Sequence, residues 1–112
     1  MRITTEVSTT FAQRLRNEES RVFLAFQVLG VSHKSISNAI GRSEPTISFW
    51  ARGQKPIPPE YLQQLIQLGR DQCRAAAELA KQFAHGTGVE AFATLRDVRL
   101  AEQLLDEVEV AA

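Results

Sequence analysis

Apolar positions recur at intervals of three and four along most of the chain, with polar residues between them. This is the pattern of amphipathic helices. From Glu19 to Leu29 the residues Val22, Phe23, Ala25, Phe26 and Leu29 cover much of a helical circumference, which predicts a central core helix that Gly30 ends. Upstream, Phe11, Ala12 and Leu15 fall at helical spacing with Arg14 and Arg16 outward, behind Thr9 or Thr10 as a cap. Met1 to Ser8 alternates loosely around Ile3 and Val7 and reads as an arm in preference to a short strand.

Ser32 to Gly53 carries the sharpest punctuation. Ser32 is placed to cap a helix over His33 to Ile40, and Gly41 supplies its C-terminal turn. Ser43 caps a second helix, Pro45 sits in its first turn, and the helix runs to Arg52 before Gly53 stops it. Two short helices about a glycine turn predict a helix-turn-helix, a motif whose second helix lies in the DNA major groove.

Beyond it, Lys55-Pro56-Ile57-Pro58-Pro59 is a stiff loop. Pro59 or Glu60 opens a further helix that packs through Tyr61, Leu62, Leu65 and Ile66. Leu62, Ile66, Gly69, Cys73, Ala76, Ala80 and Phe83 then alternate spacings of four and three, which is heptad spacing on mostly small residues. Gly86-Thr87-Gly88 breaks this helix. A last helix from Val89 to about Val110 carries Phe92, Leu95, Val98, Ala101, Leu105 and Val108. It is expected to fold back as an antiparallel hairpin, paired within the chain or with a second chain.

The 112 residues fit one domain, or a small domain with an oligomerisation element. The expected division is an arm over 1–10, a helix-turn-helix domain over 11–68 and a C-terminal dimerisation element over 69–112. Neither a membrane span nor a signal-peptide core is visible, and the single Cys73 has no internal disulfide partner, so a cytoplasmic location is expected. Net charge is zero, but its distribution is uneven. Residues 1–58 hold eight Lys/Arg against four Asp/Glu, and residues 59–112 hold five against nine, so a basic half bears the motif and an acidic half follows.

Two registers compete for the motif, because Gly30-Val31-Ser32-His33-Lys34-Ser35-Ile36-Ser37 parallels Gly41-Arg42-Ser43-Glu44-Pro45-Thr46-Ile47-Ser48. In the earlier one, bulky Phe26 stands where two helices must approach closely; in the later one that place is Ser37. The later register also supplies Trp50 as an anchor and the Arg52-Gly53 stop. In that register Leu29 to Gly53 resembles the helix-turn-helix of the Cro/repressor (XRE-like) family of phage and bacterial regulators. The matching residues are Ser32, Ile36, Ile40, Gly41, Ser43, Thr46-Ile47-Ser48, Trp50 and Arg52-Gly53, followed by Gln54-Lys55-Pro56. With flanking helices the resemblance covers about half the chain. Two positions depart from it: Arg42 stands where the family usually has an apolar residue, and Ser37 where alanine is common.

The resemblance implies an all-α fold, a lambda-repressor-like helix-turn-helix bundle, to which this chain adds a C-terminal helical hairpin for oligomerisation. It also implies that Glu44, Pro45 and Phe49 meet base edges, with Thr46 and Ser48 close by. That set lacks the Arg, Gln and Asn that give bidentate base contacts. Glu44 suits a cytosine amino group, and Pro45, Phe49 and the Thr46 methyl suit thymine methyls. Ser32, His33 and Ser43 at helix N-termini, with Lys34, Arg42, Arg52, Gln54 and Lys55 around the motif, are the expected phosphate contacts. Cys73, Ala76, Ala80, Phe83, Phe92, Leu95 and Leu105 are the expected dimer interface.

No metal-ligand spacing, phosphate-cradling glycine loop or paired nucleophile and base is present in the sequence, so neither an enzyme nor a cofactor is expected. The expected function is a sequence-specific transcriptional regulator, a repressor of phage or mobile-element type that binds double-stranded DNA at a palindromic operator as a homodimer. An activator touching RNA polymerase, and an antitoxin-like or polymerase-binding interaction module that has lost DNA binding, are the alternatives.

Overall fold

The computed structural model describes residues 18–83 and 95–111, and every regular element among them is a helix. α1 covers residues 18–29, α2 is His33–Ile40, α3 is Glu44–Ala51, α4 is Pro59–Phe83 and α5 is Leu95–Ala111. The expected arm, the expected helix around Phe11 to Leu15, the Gly86-Thr87-Gly88 break and the expected start of the last helix at Val89 lie outside the described residues.

Local signals account for most of the helix ends. α1 closes with the Gly30 N–H on the Gln27 carbonyl at 3.1 Å and the Val31 N–H on the Phe26 carbonyl at 2.9 Å. This places Ser32 at the start of α2, where its Oγ accepts from the Ser35 N–H at 3.2 Å. α4 begins at Pro59, and the Pro58 carbonyl takes the N–H groups of Tyr61 and Leu62 at 3.0 and 2.9 Å. The stiff loop before it is fixed to α1, because the Ile57 N–H donates to Glu19 Oε2 at 3.2 Å while the Ile57 side chain is buried.

One buried apolar cluster joins all five helices. α1 supplies Val22, Phe23, Ala25, Phe26 and Leu29, as its pattern predicts; α2 supplies Ile36, and α3 supplies Ile47 and Trp50. α4 adds Leu62, Leu65, Ile66 and Cys73, and α5 adds Val98, Ala101, Leu104, Leu105 and Val108. The expected boundary between residues 68 and 69 therefore falls inside an unbroken helix.

α5 runs antiparallel to α4 and packs on it within the chain. Arg70 of α4 pairs with Asp106 at 3.0 Å and with Glu109, while Cys73, further along α4, lies in the field of Glu102, earlier on α5. Arg21 of α1 reaches Glu107 at 3.0 Å, so α5 also meets the first helix. The small residues of the α4 heptad explain the fit: a Cβ at Gly69 would stand 2.8 Å from Leu105 Cδ2.

Several residues of the expected dimer interface already take part in this packing within one chain. Cys73, Ala80 and Leu105 are buried inside a single chain, and Ala76 is half-buried against the same core. Heptad spacing on small residues does mark a close helix–helix contact, but that contact is taken up by the chain's own last helix. Among the five whose side chains are described, Leu95 alone is exposed, at 41%. Phe92 and the side chain of Phe83 lie outside the described part.

Candidate nucleic-acid interface

The α2–α3 turn rests on three residues. Gly41 has φ 73°, a left-handed conformation that a side chain would strain. It lets both its own N–H and that of Arg42 reach the Ser37 carbonyl, at 3.0 and 3.3 Å. Ser37 also donates its hydroxyl to the Arg42 carbonyl. The serine that replaces an alanine in the resemblance thus closes the turn from both its backbone and its side chain.

α3 starts at Ser43, whose Oγ accepts from the Thr46 N–H at 3.4 Å and lies 2.9 Å from Thr46 Oγ1. Its inner face is Ile47 and Trp50, both buried. Arg52 is its C-cap, one residue earlier than the sequence suggests, and the helix then closes through the Gln54 N–H on the Phe49 carbonyl at 3.0 Å.

The outer face carries Glu44 and Pro45, both exposed, with Thr46, Ser48 and Phe49 half-buried. Two of these five are already engaged: Thr46 with the cap, and Ser48 with Arg52. Arg52 Nη2 donates to Ser48 Oγ at 2.9 Å and Arg52 Nε to the Ser48 carbonyl at 3.3 Å. Among the described residues none pairs with the Glu44 carboxylate, and it is the only acidic residue of α2 and α3.

Phe49 is flanked by cations. Lys55 Nζ stands 4.6 Å from its ring centre and the Arg52 guanidinium carbon 5.8 Å from it. At these distances the ring face attracts the cation. Arg42 makes a similar contact with a different helix, its guanidinium carbon lying 4.5 Å from the Tyr61 ring, which itself stands 5.6 Å from Trp50.

Of the expected phosphate contacts, Ser32, His33, Lys34, Arg42, Ser43, Arg52, Gln54 and Lys55 are all exposed. Ser32, His33 and Lys34 stand at the start of α2, Arg42 and Ser43 just before α3, and Arg52, Gln54 and Lys55 at and beyond its C-terminal end. The His33 ring meets the edge of Phe23 with centroids 6.1 Å apart. Beside it opens a groove of about 740 Å³ between α1 and the α2–α3 pair, lined among others by Phe23, Leu24, Val31, His33, Ala51 and Arg52.

Sequence reasoning placed Tyr61 only in the core and did not connect it with Arg42. Nothing local signals a contact between residues on a turn and on α4. The Phe49–Arg52 pair did carry a signal, because residues three apart on a helix are neighbours.

Among the described residues no group of His, Cys, Asp and Glu is arranged to hold a metal, and none of the described helices is long and apolar enough to cross a membrane. No protein-family model, curated protein or solved structure matches the chain.

Proposed function

We propose that the chain is a sequence-specific DNA-binding regulator of transcription with a lambda-repressor-like helix-turn-helix, acting in the cytoplasm as a homodimeric repressor on a palindromic operator. The observation that carries this reading is the surround of α3. A short, capped helix presents an outer strip with Glu44 and Pro45 exposed and Thr46, Ser48 and Phe49 half-buried, and His33, Lys34, Arg42, Arg52 and Lys55 are exposed about the motif. Arg42 before this short helix and Arg52 and Lys55 after it suit phosphates flanking a major groove. A single short helix reads only a few base pairs, so two copies on an inverted repeat supply the specificity. No catalytic role accompanies this reading.

Selection of bound duplexes from a random pool at moderate salt tests it, with the double variant Arg52→Ala/Lys55→Ala as control. An inverted repeat is enriched, the control loses affinity, and the logarithm of the binding constant falls with that of salt by about 0.9 for each phosphate contact. Failure to enrich any sequence, or affinity indifferent to salt, sinks the proposal.

The acidic Glu44 at the head of α3 favours one second reading, an interaction module that uses Phe49 as a protein anchor. In that case a protein partner is held with little dependence on salt.

A further inference from the structure

Resting on the DNA-binding reading above, we propose that α3 recognises pyrimidine C5-methyl groups beside a cytosine amino group, so that operator affinity depends on base methyls and not on guanine contacts. The first observation is what α3 lacks. Its eight residues, EPTISFWA, include no Arg, Lys, Asn or Gln. Those are the side chains that make bidentate contacts to guanine and adenine.

The second observation is that the cations nearest the strip each make a contact within the chain away from Glu44 and Pro45. Arg52 holds Ser48 through Nε and Nη2, Arg42 lies over Tyr61, and Lys55 lies over the face of Phe49. Gln54 follows the C-terminal end of α3, remote from Glu44 at its start.

What remains at the outer strip is a carboxylate next to apolar surface. Pro45 and Phe49 are four residues apart and share a helix face, and Glu44 adjoins Pro45. A carboxylate accepts hydrogen bonds and donates none, so it needs a base-edge donor. Adenine N6 and cytosine N4 are the major-groove donors. Adenine sets its donor beside the N7 lone pair, which repels a carboxylate. Cytosine sets its donor beside C5, which is apolar. A methyl at that C5, or on a thymine at the next step, meets Pro45 and Phe49. Lys55 Nζ stands 4.6 Å from the centre of the Phe49 ring at the end of this strip.

The two methyl sources are separated by synthesis of the selected operator in three forms: unmodified, with thymine replaced by uracil at single positions, and with cytosine replaced by 5-methylcytosine. Affinities are measured at fixed salt for the native chain, Phe49→Ala, the more conservative Phe49→Leu, and Glu44→Gln. One buried methyl corresponds to about a fourfold change. A fourfold loss on uracil substitution assigns thymine; a similar gain on cytosine methylation assigns 5-methylcytosine. In either case Phe49→Ala removes the sensitivity while the salt slope stays, Phe49→Leu keeps part of it, and Glu44→Gln relaxes the preference for cytosine. An operator bound equally well in all three forms overturns the methyl proposal and leaves DNA binding standing. A pool with no enriched operator overturns the DNA-binding reading, and this one with it.

Discussion

The Arg42 guanidinium lies over the Tyr61 ring, its carbon 4.5 Å from the ring centre. A residue of the α2–α3 turn is thereby attached to the first turn of α4, and through Tyr61 to Trp50 on α3. The position where the resembling family places an apolar side chain is filled by an arginine whose guanidinium lies over an aromatic ring. Arginine can do this without giving up its outward N–H groups.

Replacing Arg42 with alanine is expected to lower stability by about 0.5–1 kcal/mol, the range for a partly exposed cation–π contact. Tyr61→Phe retains the ring face and should change little. Chemical denaturation of the three proteins decides the matter: an Arg42→Ala midpoint equal to that of the native chain means that the stack contributes nothing.

Ser43 caps α3 through the Thr46 N–H. Ser43→Ala is expected to cost about 1 kcal/mol, and Ser43→Asp to keep the cap. The aspartate variant separates folding from binding, since a carboxylate beside Glu44 repels phosphate. It should match the native denaturation midpoint and bind DNA more weakly. Equal DNA affinity in Ser43→Asp removes Ser43 from the phosphate contacts.

The helix ends were legible because their causes are local. Ser32, Gly41 and Ser43 each act on residues within a few positions, and α2 begins and ends where they say. The destination of the α4 heptad was not legible. Gly69, Cys73, Ala76 and Ala80 announce that a helix comes close, but spacing is the same whether that helix belongs to this chain or another. Leu105 and Arg70, the residues that settle it, are far apart in sequence from their partners. For the candidate site the exposed set around α3 was readable from the cap positions. The engagement of Arg52 by Ser48 and of Arg42 by Tyr61 depends on where the side chains fold back, which residue order does not state.

Gly69 tests the closeness of α4 and α5. An added Cβ meets Leu105 Cδ2 at 2.8 Å, and Leu105 is fully buried. Gly69→Ala therefore sets two effects against each other. Alanine gains about 1 kcal/mol of helix propensity over glycine, while overpacking costs about 1–3 kcal/mol. The expected result is a net loss of up to about 2 kcal/mol. Gly69→Leu has the same propensity benefit and far more volume, so it should destabilise more. If Gly69→Leu unfolds at the native midpoint, α5 does not pack on α4 at this position.

Cys73 reports on the same contact through its chemistry. Its thiol is buried, and its pKa is pushed up to about 11, first by burial and then by the charge of Glu102, with Arg70 opposing. In the unfolded chain a thiol titrates at about 8.5. Between these values the unfolded state has released the proton and the folded state has kept it. The unfolded state then binds fewer protons, so stability falls as pH rises through this window. Other groups titrate there too, and Cys73→Ala isolates the thiol: its stability should decline less steeply with pH than that of the native chain. At pH 8 the native thiol should react with a thiol-specific reagent at least about a hundredfold more slowly than the denatured chain, since the thiolate is both scarce and enclosed. Equal rates in the folded and denatured chains, or parallel pH dependences for the native and Cys73→Ala proteins, exclude an enclosed thiol between α4 and α5.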